Sequence, residues 1–150
     1  MNREILFKAK DKETNEWIEG TPITAENGVT YIAKSVQFSV LLSGNAGPLC
    51  NTLAGDFYSV IPETVSQFTG LYDKNGVRIW ENDIVKMIIK SAMNPAEPPL
   101  IFIGVCKFKD GSFGFSRPRA GVEVFTAFSA TFNVDFEVIG NRFDNPDLLN

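Results

Sequence analysis

The stretch Gln67-Phe-Thr-Gly-Leu-Tyr-Asp-Lys-Asn-Gly-Val-Arg-Ile-Trp-Glu-Asn-Asp-Ile-Val-Lys86 is the most informative part of the chain. Its centre, residues 73–76, reads Asp-Lys-Asn-Gly and lies between two apolar runs. Asn-Gly is a preferred turn pair because both residues tolerate positive φ. We therefore predict a β-hairpin here, with Asn75 and Gly76 at the positive-φ positions.

The same centre could be read as the opening of a calcium-binding EF-hand loop. Such a loop has glycine at its sixth position and glutamate at its twelfth. Counted from Asp73, Gly76 is the fourth residue and Ile84 the twelfth. The spacing favours a turn, and we expect no metal site and no cofactor.

Glu81 and Asp83 follow the hairpin and stand two residues apart. On a strand they would share one face and could act as a carboxylate pair in acid–base chemistry or glycoside cleavage. One predicted strand ends at Trp80 and the next begins at Ile84, so the pattern favours a tight turn with solvated charges. A hydrolase using Glu81 and Asp83 is the weakest of three functional hypotheses.

The rest of the chain shows a β pattern. It contains 13 phenylalanines, and its β-branched and aromatic residues recur in short runs broken by Gly, Pro, Asn and Asp, which is typical of strands. The predicted strands are residues 3–9, 17–18, 29–33, 36–42, 57–61, 77–80, 84–90, 101–109, 112–116, 122–126 and 136–139.

Helix signals are sparse. A capping asparagine before a proline predicts one helical turn over residues 145–149, and residues 49–54 are a second candidate. Residues 43–48 and 93–99 are predicted loops, and the prolines of the second could separate two subdomains. We expect one domain over residues 1–150, with possible subdomains 1–65 and 66–150.

Composition excludes several kinds of chemistry. The chain has no histidine and only two cysteines, Cys50 and Cys106, so histidine triads, histidine metal sites and Cys-His zinc sites are ruled out. Motifs for phosphate loops, dinucleotides and the serine nucleophile elbow are also missing from the sequence. These exclusions favour a protein that is not an enzyme.

The chain is predicted to be cytoplasmic. Its apolar runs are far shorter than the roughly 18 to 20 residues needed to cross a bilayer, and its first residues do not resemble a signal peptide. Two cysteines are too few for a disulfide framework. We expect free thiols and no membrane association.

Residues 107–119 suggest a second functional hypothesis, a single-stranded nucleic-acid-binding hairpin. Exposed aromatic rings stack on bases while neighbouring basic side chains meet phosphates. Six residues could act in this way: Lys107, Lys109, Phe113, Phe115, Arg117 and Arg119. The alternative is that Asp110-Gly111 is a hairpin turn and that Cys106, Phe108, Phe113 and Phe115 pack inward. The net charge of −4 favours this alternative, because phosphate binding usually needs a basic surface and this chain is acidic overall.

Three separated segments together resemble the YopX family of phage and prophage proteins. They are residues 2–18, residues 67–85 and residues 136–149, the last reading Phe-Glu-Val-Ile-Gly-Asn-Arg-Phe-Asp-Asn-Pro-Asp-Leu-Leu. The family usually has glycine where this chain has Asn82. Asparagine also tolerates a left-handed turn, so the resemblance is little affected.

The resemblance implies a mostly β, YopX-like protein of short antiparallel strands, with an SH3-like small barrel in the C-terminal half. It also implies self-association and a phage or prophage origin in a bacterial host, and it carries no catalytic residues. The leading hypothesis is therefore a non-enzymatic protein-interaction module that forms a homo-oligomer and could bind a host or phage protein.

Overall fold

A computed structural model describes residues 4–42, 48–94, 96–131 and 133–149, with side chains for all of these except 35–42, 48–54 and 130. In these ranges the chain forms eleven β-strands and three short 3-10 turns. The strands are β1 (Phe7–Lys10), β2 (Trp17–Thr24), β3 (Thr30–Leu42), β4 (Pro48–Ser59), β5 (Ser66–Tyr72), β6 (Arg78–Trp80), β7 (Asp83–Ile89), β8 (Leu100–Lys109), β9 (Ser112–Arg119), β10 (Val122–Ala127) and β11 (Val134–Asn141). The expectation of a mostly β protein is confirmed.

Contacts within the chain divide it into two compact units. The N-terminal unit contains Leu6–Val65. The C-terminal unit contains Ser66 and the described residues after it, together with Glu4 and Ile5.

Successive hairpins build the N-terminal unit. β1 pairs with β2, β2 with β3 and β3 with β4, all antiparallel. Its buried cluster consists of Ala9, Ile18, Ile32 and Val60. Ala9 stands directly opposite Ile18 in the register, so apolar residues from neighbouring strands meet on one face.

Two sequence predictions for this unit are wrong. Residues 49–54, a helical candidate, lie in β4, where Cys50 is opposite Leu41. Cross-strand pairing overrides the weak local preference for helix. The segments 29–33 and 36–42, predicted as separate strands, belong to one strand, β3. A bulge between Ala33 and Val36 shifts the register, and pairing with β4 continues on both sides of it.

The C-terminal unit contains the β5–β6 hairpin and a five-stranded antiparallel sheet. Strands β7, β8, β9 and β10 follow one another as a meander, and after a 3-10 turn at Phe128–Ala130 the chain returns so that β11 lies beside β7. The sheet order is β10-β9-β8-β7-β11. The predicted C-terminal helical turn is present as a 3-10 turn at Pro146–Leu149. The SH3-like barrel stays a prediction.

One face of this sheet, which we call the inner face, carries the core of the C-terminal unit. The cluster includes Val85, Cys106 and Phe115, each at most 1% exposed. Cys106 is directly opposite Phe115 in the register. Fully burying a side chain as large as phenylalanine stabilises the fold by about 1.5–3 kcal/mol. Phe108, also predicted to pack inward, is instead 53% exposed because it lies near the hairpin tip.

Residues 93–99 connect β7 to β8, which are neighbours in the same sheet. This loop therefore joins two strands of one unit and does not separate subdomains. Among the described residues, no helix is both long and apolar enough to cross a membrane.

Candidate functional site

The turn after β5 is organised by the carboxylate of Asp73, which is only 7% exposed. Its Oδ1 accepts hydrogen bonds from the backbone N–H groups of Asn75 at 2.8 Å and Val77 at 2.9 Å. Its Oδ2 accepts one from the N–H of Val138 in β11 at 3.0 Å. Within the turn at residues 73–76, Gly76 alone has a positive φ, of 80°. The hairpin prediction is thus confirmed, but the placement of Asn75 at positive φ is wrong.

These hydrogen bonds set the ionisation of Asp73. Burial alone would raise the pKa of its carboxyl, but the N–H donors from Val138, Val77 and Asn75 outweigh burial and hold the pKa below its ordinary value. Both carboxylate oxygens of Asp73 therefore accept hydrogen bonds from backbone N–H groups. In the described part of the chain, no group of three or more Asp, Glu or Cys residues is arranged to hold a metal ion.

The Glu81-Asn82-Asp83 turn links distant parts of the unit. Asn82 adopts the left-handed conformation, with φ 67°. Its N–H donates to the carbonyl of Cys106 at 2.8 Å, and its carbonyl accepts from the N–H of Arg142 at 3.0 Å. Asn82 therefore ties this turn to β8 and to the segment after β11.

Asp83 is buried, at 3% exposed, although solvated charges were expected in this turn. Its Oδ2 accepts from the N–H of Trp80 at 2.8 Å, and its Oδ1 from Nδ2 of Asn141 at 3.0 Å. Each oxygen is thus held by a structural donor. The arrangement gives Asp83 a clear role in the fold, and Glu81 remains only partly buried beside it.

Cys106 is a free, buried thiol. Burial raises the pKa of this thiol strongly, and the negative charges of Asp83 and Glu81 raise it further. The thiol therefore stays protonated and acts as a small apolar core group. The free-thiol prediction for Cys50 falls on a side chain outside the described residues.

The structure does not bring the six residues of the nucleic-acid hypothesis onto one face. Alternation along β8 places Lys107 and Lys109 on the face opposite Cys106, which we call the outer face. Phe113, Phe115, Arg117 and Arg119 alternate toward the inner face of β9. Phe115 is 1% exposed. The guanidinium of Arg117 stacks on the ring of Phe102, 4.1 Å from its centre.

Lys107 forms an ion pair on the outer face. Its Nζ donates to Oε1 of Glu123 on β10, and the hydroxyl of Ser116 donates to the same oxygen at 2.7 Å. The hydrogen bond from Lys107 makes the largest contribution to lowering the pKa of Glu123, and the hydrogen bond from Ser116 lowers it further. The charge of Lys107 is thus matched within the chain, which leaves less of it for a phosphate.

An aromatic cleft of about 630 Å³ lies between the β8–β9 hairpin tip and β5. The rings of Phe108 and Phe113 meet edge to face there, with centres 5.0 Å apart. Tyr72 and Phe108 are 55% and 53% exposed. Sequence reasoning missed Tyr72, whose only signal was its place in the hairpin.

A second cavity, of about 740 Å³, lies on the outer face, and we call it the outer groove. Its polar wall includes the Lys107–Glu123 ion pair. Its apolar lining includes five side chains that are 38–65% exposed: Ile101, Ile103, Val122, Leu148 and Leu149. The sequence placed the two isoleucines in a strand but could not show that their face of the sheet is open.

The C-terminal turn forms one wall of the outer groove. A Cβ built on Gly140 would lie 3.0 Å from Cδ1 of Leu148 and 2.6 Å from Oδ1 of Asn145. Glycine at this position lets the turn approach β11 closely. Leu148 is thereby held against the sheet while it remains 41% exposed.

The fold and the outer groove define a mostly β protein of two antiparallel units, one of which carries an open apolar groove on its sheet. The family model described as "YopX protein" matches residues 6–150, and the chain belongs to this family. The resemblance seen in the sequence is therefore confirmed.

A solved structure shares this fold. The chain is similar to the crystal structure of protein EF1440 from Enterococcus faecalis, with a TM-score of 0.58 and 23% sequence identity. The similarity covers 99% of this chain and 100% of that one. No curated protein sequence matches the chain.

Proposed function

We propose that this protein is a non-enzymatic interaction module that forms a homo-oligomer through its outer groove. One observation carries the proposal: Ile101 and Ile103 lie on β8, in the middle of a five-stranded sheet, and are nevertheless 53% and 42% exposed. Apolar side chains on a central strand normally pack against another layer. A second copy of the chain would supply that layer.

Burial and charge both support self-association. Removing apolar surface from water contributes about 25 cal/mol per Å², and contiguous exposed apolar patches mark interaction sites. The charged pair in the groove, Lys107 and Glu123, is neutral as a whole. Of the charged residues that line the groove, only Arg117 lies outside this pair, so few like charges meet when two copies bring the same face together.

Family membership supports the biological setting of the proposal. The protein acts in the cytoplasm of a bacterial host, encoded by a phage or an integrated prophage. A host or phage protein can then bind the assembled module. Pull-down from host lysate, with and without the groove variant described below, identifies such a partner.

Light scattering on the purified protein tests self-association. Ile103→Asp places a charge in the groove and shifts the protein toward its monomer mass of 16.6 kDa. Leu71→Asp is the matched control, because Leu71 is 43% exposed but does not line the outer groove. A wild-type protein that is monomeric at high micromolar concentration overturns the proposal, and so does an oligomer unchanged by Ile103→Asp.

Single-stranded nucleic-acid binding is a second candidate function, favoured by the exposed ring of Phe108 in the aromatic cleft. An exposed ring can stack on a base, and Lys109, near the same hairpin tip, is exposed. Fluorescence anisotropy with labelled DNA and RNA at two salt concentrations tests it. Binding that weakens steeply with salt and is lost in Phe108→Ala supports this function. The absence of binding eliminates it.

A further inference from the structure

The two edge strands of the five-stranded sheet differ in how their outward backbone groups are used. On β11, the carbonyl of Phe136 accepts a hydrogen bond from the N–H of Lys74 at 2.9 Å. The N–H of Val138 donates to Asp73 at 3.0 Å. A register shift between Val138 and Gly140 further interrupts this edge. The β11 edge is therefore capped by the Asp73 turn.

The opposite edge, β10, pairs only with β9 among the described strands. Along β10, the backbone N–H and C=O groups of successive residues point alternately toward β9 and away from it. The two-residue turn Ala120-Gly121, with φ 52° and 79°, makes Arg119 and Val122 a hydrogen-bonded pair. The groups that then point away from β9 are the N–H and C=O of Glu123 and Phe125 and the N–H of Ala127, whose carbonyl begins the 3-10 turn Phe128–Ala130.

β10 carries no lysine, proline or bulge, and its one charged side chain, Glu123, is paired with Lys107 on the same sheet. Exposed edges are commonly blocked by lysine, proline or a bulge, and β10 reads Val-Glu-Val-Phe-Thr-Ala with an unbroken register against β9. The sheet thus has one capped edge and one open edge.

We propose that β10 pairs antiparallel with β10 of a second copy, with Phe125 opposite Phe125 of the second copy. This inference rests on the proposed homo-oligomer and adds a second contact to it: β10 joins copies edge to edge, whereas the outer groove joins them face to face. In this register the two Phe125 residues exchange backbone hydrogen bonds, and the carbonyl of Glu123 accepts from the N–H of Ala127 of the second copy. The five-stranded sheet thereby continues into a ten-stranded one.

Side-chain chemistry supports this register. Glu123, Phe125 and Ala127 share the outer face. The ring of Phe125 lies over Gly114, where an added Cβ would be only 2.5 Å from Cζ, so the ring already lies flat against the sheet. The ring therefore leans toward β9 and leaves the outward backbone edge of β10 uncovered.

Charge agrees with the same register. Glu123 is neutralised by Lys107 of its own chain and faces an alanine of the second copy. No like charges oppose each other across the new pair of strands. The proposed contact between the two β10 strands also lies beside the outer groove, because Val122 and Glu123 line that groove.

The variant Ala127→Pro tests the hydrogen bonds. Ala127 has φ −61° and ψ 139°, which proline adopts readily, and its N–H points away from β9. Proline removes one of the three outward donors in each copy and leaves the β9 ladder intact. Ala127→Ser, which keeps the N–H, is the matched control. We expect Ala127→Pro to weaken dimerisation at least tenfold in a light-scattering dilution series, and Ala127→Ser to change it less than twofold.

Disulfide cross-linking tests the register independently of whether the proline variant folds. In a Cys50→Ser background, Phe125→Cys places two thiols on strands whose paired Cα atoms are about 5.5 Å apart, within disulfide range. Val124→Cys is the control, because two copies of residue 124 are offset along the strands to beyond about 7 Å. We expect a covalent dimer on a non-reducing gel for the first variant and none for the second.

The outcomes separate this inference from the proposed function. A wild-type oligomer that is cross-linked through residue 125 but not 124 supports the β10 pairing and self-association, and Ile103→Asp tests the groove contact separately. A wild-type oligomer with no cross-link at residue 125, or with cross-linking through residue 124 alone, overturns the β10 pairing and leaves self-association standing. An oligomer that is unchanged in a folded Ala127→Pro variant also overturns the pairing. A monomeric wild type overturns both.

Discussion

Asn141 donates a hydrogen bond from Nδ2 to Oδ1 of Asp83, 58 positions earlier in the chain, at 3.0 Å. Both side chains are buried, at 6% and 3% exposed. The Oδ1 of Asn141 accepts from the N–H of Phe143 at 3.0 Å. This one amide therefore connects the start of β7 to the chain leaving β11, and it satisfies a buried carboxylate.

We predict that Asn141→Ala lowers the free energy of unfolding by about 1–3 kcal/mol, because the variant leaves an oxygen of Asp83 without this donor. For a chain of this length the melting temperature falls by roughly 2–4 °C for each kcal/mol. Urea denaturation followed by circular dichroism measures the change. Glu26→Ala, at an exposed position, is the control and changes stability by less than about 0.5 kcal/mol. Equal stability of the two variants contradicts the role given to Asn141.

The lowered pKa of Asp73 predicts that the protein loses stability in acid. Its pKa lies below the ordinary value of 3.8 in the folded chain, so its ionised form contributes stability at pH values above 3.8. That contribution is lost as the pH falls through the ordinary value toward the folded one. Denaturation series between about pH 6 and pH 2.5 measure the slope.

Asp73→Asn lowers stability at neutral pH, because an amide nitrogen cannot accept from the N–H of Val138, and it flattens the acid dependence. The slope does not vanish, since the pKa values of Glu123 and Glu137 are lowered as well. Asp147→Asn, at an exposed position, serves as the control and keeps the wild-type slope. An unchanged slope in Asp73→Asn removes this account.

Ala120 predicts a stabilising substitution. It has φ 52° in the two-residue turn between β9 and β10, a conformation that costs alanine about 1 kcal/mol. Asparagine tolerates this conformation, and Asn-Gly is the preferred pair for such a turn. We expect Ala120→Asn to raise the free energy of unfolding by about 0.5–1 kcal/mol. Ala92→Asn, at an exposed loop position without positive φ, tests whether asparagine stabilises at any loop position; if it has the same effect, the turn is not the cause.

Cys106 predicts slow reaction with thiol reagents. Burial, together with Asp83 and Glu81, raises its pKa, so both access and thiolate formation are suppressed. In a Cys50→Ser variant we expect labelling by a chromogenic disulfide at pH 8 to be at least a hundredfold slower than in 8 M urea. Adding an exposed thiol through Phe108→Cys restores one rapidly reacting group. Rapid labelling without that thiol contradicts the buried position.

Local features of the fold were predictable from the sequence, and distant contacts were not. The turns at Gly76 and Asp110-Gly111 follow from the conformational freedom of residues adjacent in the chain. The burial of Asp83 depends on Asn141, which no local pattern connects to it. The strand at residues 48–59 likewise depends on pairing with β3, so a short-range reading offered a helix at residues 49–54.

The candidate site shows the same division. Alternation predicts which residues of β8 share a face, but not whether that face is covered. Phe108 and Phe115 both alternate toward the inner face, yet one is 53% and the other 1% exposed, since Phe108 lies closer to the hairpin tip. The open position of Ile103 likewise depends on how far the C-terminal turn reaches across the sheet.

The hydrogen bonds from Lys74 and Val138 that cap β11 also limit how large an assembly can become. A sheet with two receptive edges can add copies end to end without limit, which is the route to filaments and to aggregation. With one side closed, strand addition stops once the remaining side is filled. Under the proposed β10 pairing, a single buried aspartate in a hairpin loop thus limits edge-to-edge growth to two copies.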